Sequence, residues 1–166
     1  IERDAQLADE PYLADVARVD WAVHKVEHAA DVEQMPVGLA LLGESDPAQL
    51  RLRLRPGLAL VASRWPVVTI WQAHRRGDAD RFAPVRAALA AGRAEHALIA
   101  RAGWRAQVDA LDAGDAAFTA ALLRPVPLGQ ALEDAEHAAF SFERWLQRAL
   151  THQWLQAVER IDARHA

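Results

Sequence analysis

Tyr12, Val16, Val19, Val23, Val26 and Ala30 recur at spacings of four and three, which predicts one apolar helical face. Leu13, Ala17 and Trp21 add a second row, so the predicted helix is covered on more than one side. Asp9-Glu10-Pro11 supplies its start, with Asp9 capping free backbone N–H groups and Pro11 suited to the first turn. The pattern fades by Asp31, and Pro36-Val37-Gly38 reads as a break.

The period then changes. In "QLRLRLRP", Leu50, Leu52 and Leu54 alternate with Arg51, Arg53 and Arg55, which predicts a strand with one buried and one wet face. "GLALVASRWP" fits either a second strand or a short helix, and "VVTIWQAHRR" a short helix ending near Gly77. "GDADRFAP" reads as a linker, with another helix over Phe82 to Ala91.

"EHALIARAGWRAQVDAL" predicts a hairpin turning at Ala102-Gly103, with Arg101 opposite Trp104, Ile99 opposite Ala106 and Ala97 opposite Val108. Those residues share a largely apolar side, and Arg105, Gln107 and Asp109 fall on the other. Three helices come next. The first carries Phe118 and Leu122 on one face, and the second carries Leu128, Ala131, Leu132 and Ala135. The third is capped by Ser141 and carries Phe142, Trp145, Leu146, Ala149, Leu150, Trp154, Ala157, Val158 and Ile161. The predicted class is α+β: an N-terminal helix and short strands over 1–80, then a winged-helix-like hairpin with three helices over 81–166.

Composition narrows the function classes. The chain has 166 residues, 52% of them apolar, enough for a packed core. A net charge of −4 offers no broad positive field to a nucleic-acid backbone. The absence of cysteine removes disulfides, thiolate metal sites and cysteine nucleophiles. No apolar run approaches the roughly 20 residues that cross a bilayer, and no signal peptide is visible. The expected setting is cytoplasmic, without a membrane or nucleic-acid partner.

"HKVEH", residues 24–28, fits H-x-x-E-H, in which His24 and His28 would grip zinc and Glu27 would act as general base. A zinc hydrolase also needs a third ligand, and none of His74, His96, His137, His152 and His165 lies in a second ligand pattern. Partly buried or interface histidines are the better expectation, with no metal in this chain. No nucleophile elbow, phosphate loop or dinucleotide fingerprint is present. A DNA-binding winged helix is a second alternative, but its recognition helix over 127–138 carries Glu133, Asp134 and Glu136 without Arg or Lys. Of the six tryptophans, Trp104, Trp145 and Trp154 fit core positions by periodicity. Trp65 and Trp71 flank a proline beside Arg64, His74, Arg75 and Arg76, a mixture typical of interface hot spots.

The motifs together carry a resemblance. Pro11-Tyr12-Leu13-Ala14-Asp15, Asp20-Trp21-Ala22, His28-Ala29-Ala30-Asp31 and the block from Arg64-Trp65-Pro66-Val67 to Ile70-Trp71 are similar to the HvfC/BufC family of RiPP maturation proteins. That family includes the MbnC-type partners of methanobactin biosynthesis. "LDAGDAAFTAALLRPVPLGQAL" continues the similarity over nearly the whole chain, which matches the C-terminal two thirds of the family. Trp65 stands where Tyr is more usual, and Asp20 where Glu is more usual. Members usually carry a preceding helical domain, and the start at Ile1 is expected to reflect its removal.

The resemblance implies a bacterial, non-catalytic subunit. It would pair with a TIM-barrel enzyme holding two or three irons, which oxidises cysteines of a precursor peptide with O₂. The hairpin region also resembles RiPP recognition elements that take a leader peptide as an added strand. No cofactor is expected in this chain; the iron belongs to the partner enzyme. Arg64, Trp65, Trp71 and Arg75 are the expected enzyme-docking residues. His96, Leu98, Arg101, Arg105, Gln107 and Asp109 are the expected peptide-binding residues.

Overall fold

The computed structural model describes residues 10–31, 35–135 and 140–161. In chain order it contains α1 (Leu13–Glu27), α2 (Leu41–Glu44), a 3₁₀ turn (Pro47–Gln49), β1 (Leu50–Leu54), β2 (Ala59–Ser63), α3 (Val67–Arg75), α4 (Ala83–Ala90), β3 (Glu95–Ala102), β4 (Arg105–Leu111), α5 (Ala113–Leu122), α6 (Leu128–Asp134), α7 (Phe142–Thr151) and β5 (Leu155–Arg160). This is an α+β fold with two small antiparallel sheets, ordered β1-β5 and β2-β3-β4.

Two compact units alternate along the chain: Ile1–His28 with Ala59–Asp112, and Ala29–Leu58 with Ala113–Ala166. The changeovers fall at 28/29, 58/59 and 112/113, and the expected division near 80 is not among them.

The first unit is built on the three-stranded sheet. α1 buries Val19, Ala22, Val23 and Val26, close to the predicted stripe. These residues form one cluster with Val67 and Val68 of α3 and with Ala97, Ile99, Ala106 and Val108 of the hairpin. Ala30 lies beyond the helix and is exposed, and Asp9 lies outside the described residues. Trp21 is 61% exposed, so the second row predicted along α1 stays uncovered there. The ambiguous "GLALVASRWP" segment resolves into β2, antiparallel to β3 with Val61 opposite Ala97. That pairing makes β3 the central strand.

The hairpin turns one position later than predicted, which shifts the register by two. Ala102 pairs with Arg105, Arg101 with Ala106, and Ile99 with Val108. Gly103 has φ +65°, which suits the first position of a two-residue hairpin turn. Trp104 therefore sits at the tip, 91% exposed, and not in the core position expected of it. A slip of two keeps every side chain on its own face, so Ala97, Ile99, Ala106 and Val108 still share the apolar side. That side packs on α1 and α3 within this unit. The hairpin and the three helices after it thus fall in different units, in place of the single winged-helix-like body expected over 81–166.

The second unit pairs β1 with β5. Leu50 and Leu52 are buried as the alternation predicts, and Arg53 reaches Glu159 across the ladder at 3.2 Å. The long terminal helix predicted through Ile161 ends instead at Thr151. Trp154 N donates to Ala149 O at 2.7 Å and Gln153 N to Leu150 O at 3.3 Å, while Gln153 has φ +58°. This left-handed stop usually carries glycine, so the sequence hid it. A lone strand also needs a partner, and β1 finds it in Leu155–Arg160. Trp154 is buried as expected, but as the entry to a strand.

A buried polar cluster ties α5 to α7. Asp115 is fully buried, 2.7 Å from Arg148 and 3.5 Å from Arg144. Trp145 Nε1 donates to Thr119 Oγ1 at 3.0 Å, and that hydroxyl donates to Asp115 O at 2.7 Å. Ser141 caps α7 by accepting from Arg144 N, as predicted.

Val37 lies against β5 through a parallel bridge to Ala157, its N donating to Gln156 O and its O accepting from Val158 N. The next residue, Gly38, has φ +77°, and a Cβ there would lie 2.1 Å from Val158 O. Gly38→Ala should therefore destabilise by about 3 kcal/mol or more in chemical denaturation. Gly43, with open space around it, is the control: Gly43→Ala should change stability by about 1 kcal/mol at most, in the favourable direction. Equal effects of the two changes would contradict this account. Gln153→Gly should stabilise by about 0.5–1 kcal/mol by relieving the left-handed backbone. A lower melting temperature for that variant would show that the Gln153 side chain contributes more than its backbone strain removes.

Candidate functional site

α3 has no side-chain cap of its own, because Pro66 stands at its N-cap. The cap comes from the sheet. Glu95, buried at the start of β3, accepts from Val68 N at 2.8 Å and Thr69 N at 3.0 Å through Oε2, and from Thr69 Oγ1 at 2.6 Å through Oε1. A carboxylate here meets the positive end of the helix dipole and satisfies its free amides. Beside it, Ser63 Oγ donates to Asp15 at 2.6 Å and accepts from Trp65 N at 3.0 Å, joining β2, α1 and the entry to α3. At mid-helix, Gln72 Nε2 donates to Val108 O at 3.4 Å, so α3 is also tied to β4.

Thus fixed, α3 and the residues just before it present two aromatic–cation pairs. The Arg75 guanidinium lies 4.1 Å from the Trp71 ring centroid, and that of Arg64 lies 4.8 Å from the Trp65 centroid. Both rings are half-buried, packed on the first unit's core on one side. Both arginines are exposed. The four residues expected at a partner surface therefore share one short segment. Each tryptophan serves the core and the surface together, which is the geometry of a desolvatable anchor. His74 does not join them: its Nδ1 bonds Ile70 O at 2.9 Å and its ring meets Phe82 edge-on.

The expected peptide-binding set is divided by the sheet. His96, Leu98 and Arg101 lie on β3; at His96 and Leu98 its two sides are taken by β2 and β4, so that stretch cannot accept a third strand, while Arg101 lies beyond the end of the β2 ladder. Leu98 is fully buried, and Arg101 donates to Glu27 O at the end of α1. Arg105, Gln107 and Asp109 lie on β4, an outer strand of the described sheet; Arg105 and Gln107 are exposed and Asp109 is half-buried. The correction comes from β2: once "GLALVASRWP" is a strand, the first hairpin strand is interior.

His24 and His28 are both exposed on α1, with ring centroids 4.4 Å apart and Trp21 stacked beyond His24 at 5.4 Å. His28 Nδ1 is 2.7 Å from His24 O. Among the described residues, no group of three or more His, Asp or Glu side chains is placed to hold a metal ion.

Two features had no signal in the sequence pattern. Glu95 was not distinguishable from any strand-end carboxylate. Arg76, Arg81 and Arg93 are spread over eighteen positions, yet α3, α4 and their connection bring them to one cleft. The chain matches no family model, no curated protein and no solved structure. The HvfC/BufC resemblance accordingly rests on the sequence motifs alone.

Removing the cap should loosen α3 and with it the surface it carries. Glu95→Ala is expected to destabilise by about 2–3 kcal/mol, and Glu95→Gln, which keeps one acceptor oxygen, by about 1 kcal/mol. Hydrogen exchange should show the amides of Val68 and Thr69 losing protection first. Unchanged protection at those amides in a folded Glu95→Ala protein would remove Glu95 from this role.

Proposed function

We propose that this chain is the non-catalytic recognition and scaffold subunit of a cytoplasmic, iron-dependent peptide-modifying complex. In this reading it binds the leader of a precursor peptide and docks a TIM-barrel multinuclear iron enzyme that oxidises cysteines of that precursor. The chain contributes surfaces, and the iron belongs to the partner. The observation that carries the reading is the α3 segment, where Trp65 and Trp71 are anchored in the core and overlain by Arg64 and Arg75. Such pairs combine large desolvatable area with forked donors for carboxylates on a partner. β4 supports the peptide half, since exposed Arg105 and Gln107 alternate along an outer strand. Among the described residues, no helix is long and apolar enough to cross a membrane. The DNA-binding alternative is weakened by exposed Glu133 and Asp134 on α6, because phosphates would repel them.

Co-expression with a barrel enzyme encoded beside it tests the proposal directly, because the two should co-purify. Arg75→Glu should leave folding nearly intact, since an exposed cation–π pair contributes only about 0.5–1 kcal/mol. It should weaken enzyme docking by about tenfold or more, as loss of one hot-spot contact does. Labelled leader peptide should still shift the amides of residues 105–109 in that variant. A folded Arg75→Glu protein that co-purifies like the wild type would displace the docking surface from α3. Silence of 105–109 on leader addition would end the strand-addition half.

A further inference from the structure

α3, α4 and their connection enclose a small cleft of about 180 Å³ in the first unit. Arg76 enters it from just past α3, Arg81 from the connection and Arg93 from just past α4; Thr69, Gln72 and Pro84 complete much of the wall. No carboxylate lines it. All three arginines are exposed, and among the described residues none of them takes part in an ion pair. Two acidic groups of the flanking elements are already committed. Asp80 pairs with Arg86 at 2.7 Å, and both oxygens of Glu95 are directed at Val68 and Thr69. Asp78 shares the connection but is not part of the wall.

Three arginines that line one cleft with no carboxylate in its wall leave its positive charge locally unbalanced. The convergence is unexpected in a chain with 23 acidic and 19 basic residues, where a carboxylate partner is easily supplied. Helix capping explains one of them: Arg81 donates to Arg76 O at 3.3 Å, near the negative end of α3. It leaves the side chains of Arg76 and Arg93 unexplained.

We propose that this cleft seats a carboxylate side chain of an acidic segment of the bound peptide. This rests on the reading of the chain as a peptide-binding subunit, and adds the chemical class of residue it selects. The volume lies below the roughly 300 Å³ at which drug-sized ligand pockets begin, so it suits one compact group. The available donors are forked guanidinium groups, which match a planar carboxylate in pairs. Phosphate sites typically add backbone amides at a helix start. Here that start offers Pro84, which has no N–H, and Ala83, whose N already donates to Asp80 O at 3.0 Å.

The test uses the full chain and four probes: a short acetylated and amidated peptide of alternating glutamate and serine, its glutamine counterpart, inorganic phosphate, and labelled leader peptide. The side-chain NεH signals of Arg76, Arg81 and Arg93 should shift saturably with the glutamate peptide and not with the glutamine one. The double variant Arg76→Gln, Arg93→Gln keeps Arg81 on its carbonyl, and circular dichroism and melting should confirm its fold. It should bind the glutamate peptide about tenfold more weakly or worse, the loss expected for charge-assisted hydrogen bonds. Equal shifts with both peptides, no shifts at millimolar peptide, or tighter binding of phosphate than of the glutamate peptide would each overturn the assignment. If leader binds wild type and double variant alike, the cleft inference fails and the peptide-binding reading stands. If leader binds neither while the glutamate peptide titrates the cleft, the peptide-binding reading fails and the carboxylate site stands alone.

Discussion

The carboxylate of Glu95 ties α3 to the three-stranded sheet of the first unit. A proline at its N-cap leaves α3 without a side-chain cap of its own, and the sheet supplies one from a strand twenty-six residues away from Thr69. Burying a carboxylate is unfavourable unless its oxygens are bonded. Two backbone amides, one hydroxyl and the helix dipole meet that requirement here. These bonds set the position of α3 relative to β3. From it come the outward faces of Trp65 and Trp71, the reach of Gln72 to β4 and the wall of the arginine cleft. A single buried charge thus sets surface geometry on both flanks of one helix.

The local grammar of the chain was readable where each signal was self-contained. The stripe of α1, the alternation of β1, the helix over Ala83–Ala90, the spacing in α6 and the Ser141 cap all arise from nearby residues. The failures have two physical causes: long-range pairing outweighed local periodicity, and a local turn or stop residue went unrecognised. Residues 154, 157, 158 and 161 fit a helix, but Gln153 in a glycine-like conformation stops α7, and the backbone of β1 takes up Leu155–Arg160 as a strand. The hairpin slipped by two because Gly103 serves as the first turn residue, which placed Trp104 at the tip. The apolar face survived because a slip of two conserves the side.

The candidate site was legible in the same proportion. Trp65 and Trp71 with Arg64 and Arg75 lie on one segment, and the structure keeps them together. The strand expected to bind peptide was half legible: β4 is an outer strand, but β3 became interior once β2 joined it, a fact of sheet order that hydropathy does not encode. The cleft was invisible, since Arg76, Arg81 and Arg93 meet only through the α3–α4 turn. Tertiary charge clustering of this kind leaves no periodic trace along a chain.

The alternation of the two units along the chain bears on how the protein is made. β1 leaves the ribosome long before its partner β5, with Leu50 opposite Arg160. At translation rates of about 5–20 residues per second, this edge waits on the order of ten seconds. Throughout that interval it is an unpaired strand with buried-face leucines exposed, the kind of surface that recruits other chains. The arginines between those leucines keep the waiting edge charged. In the finished sheet Arg53 stays exposed, while Arg51 is half-buried and donates to Pro125 O at 3.3 Å, so the charges that guard the nascent edge are partly absorbed into the fold.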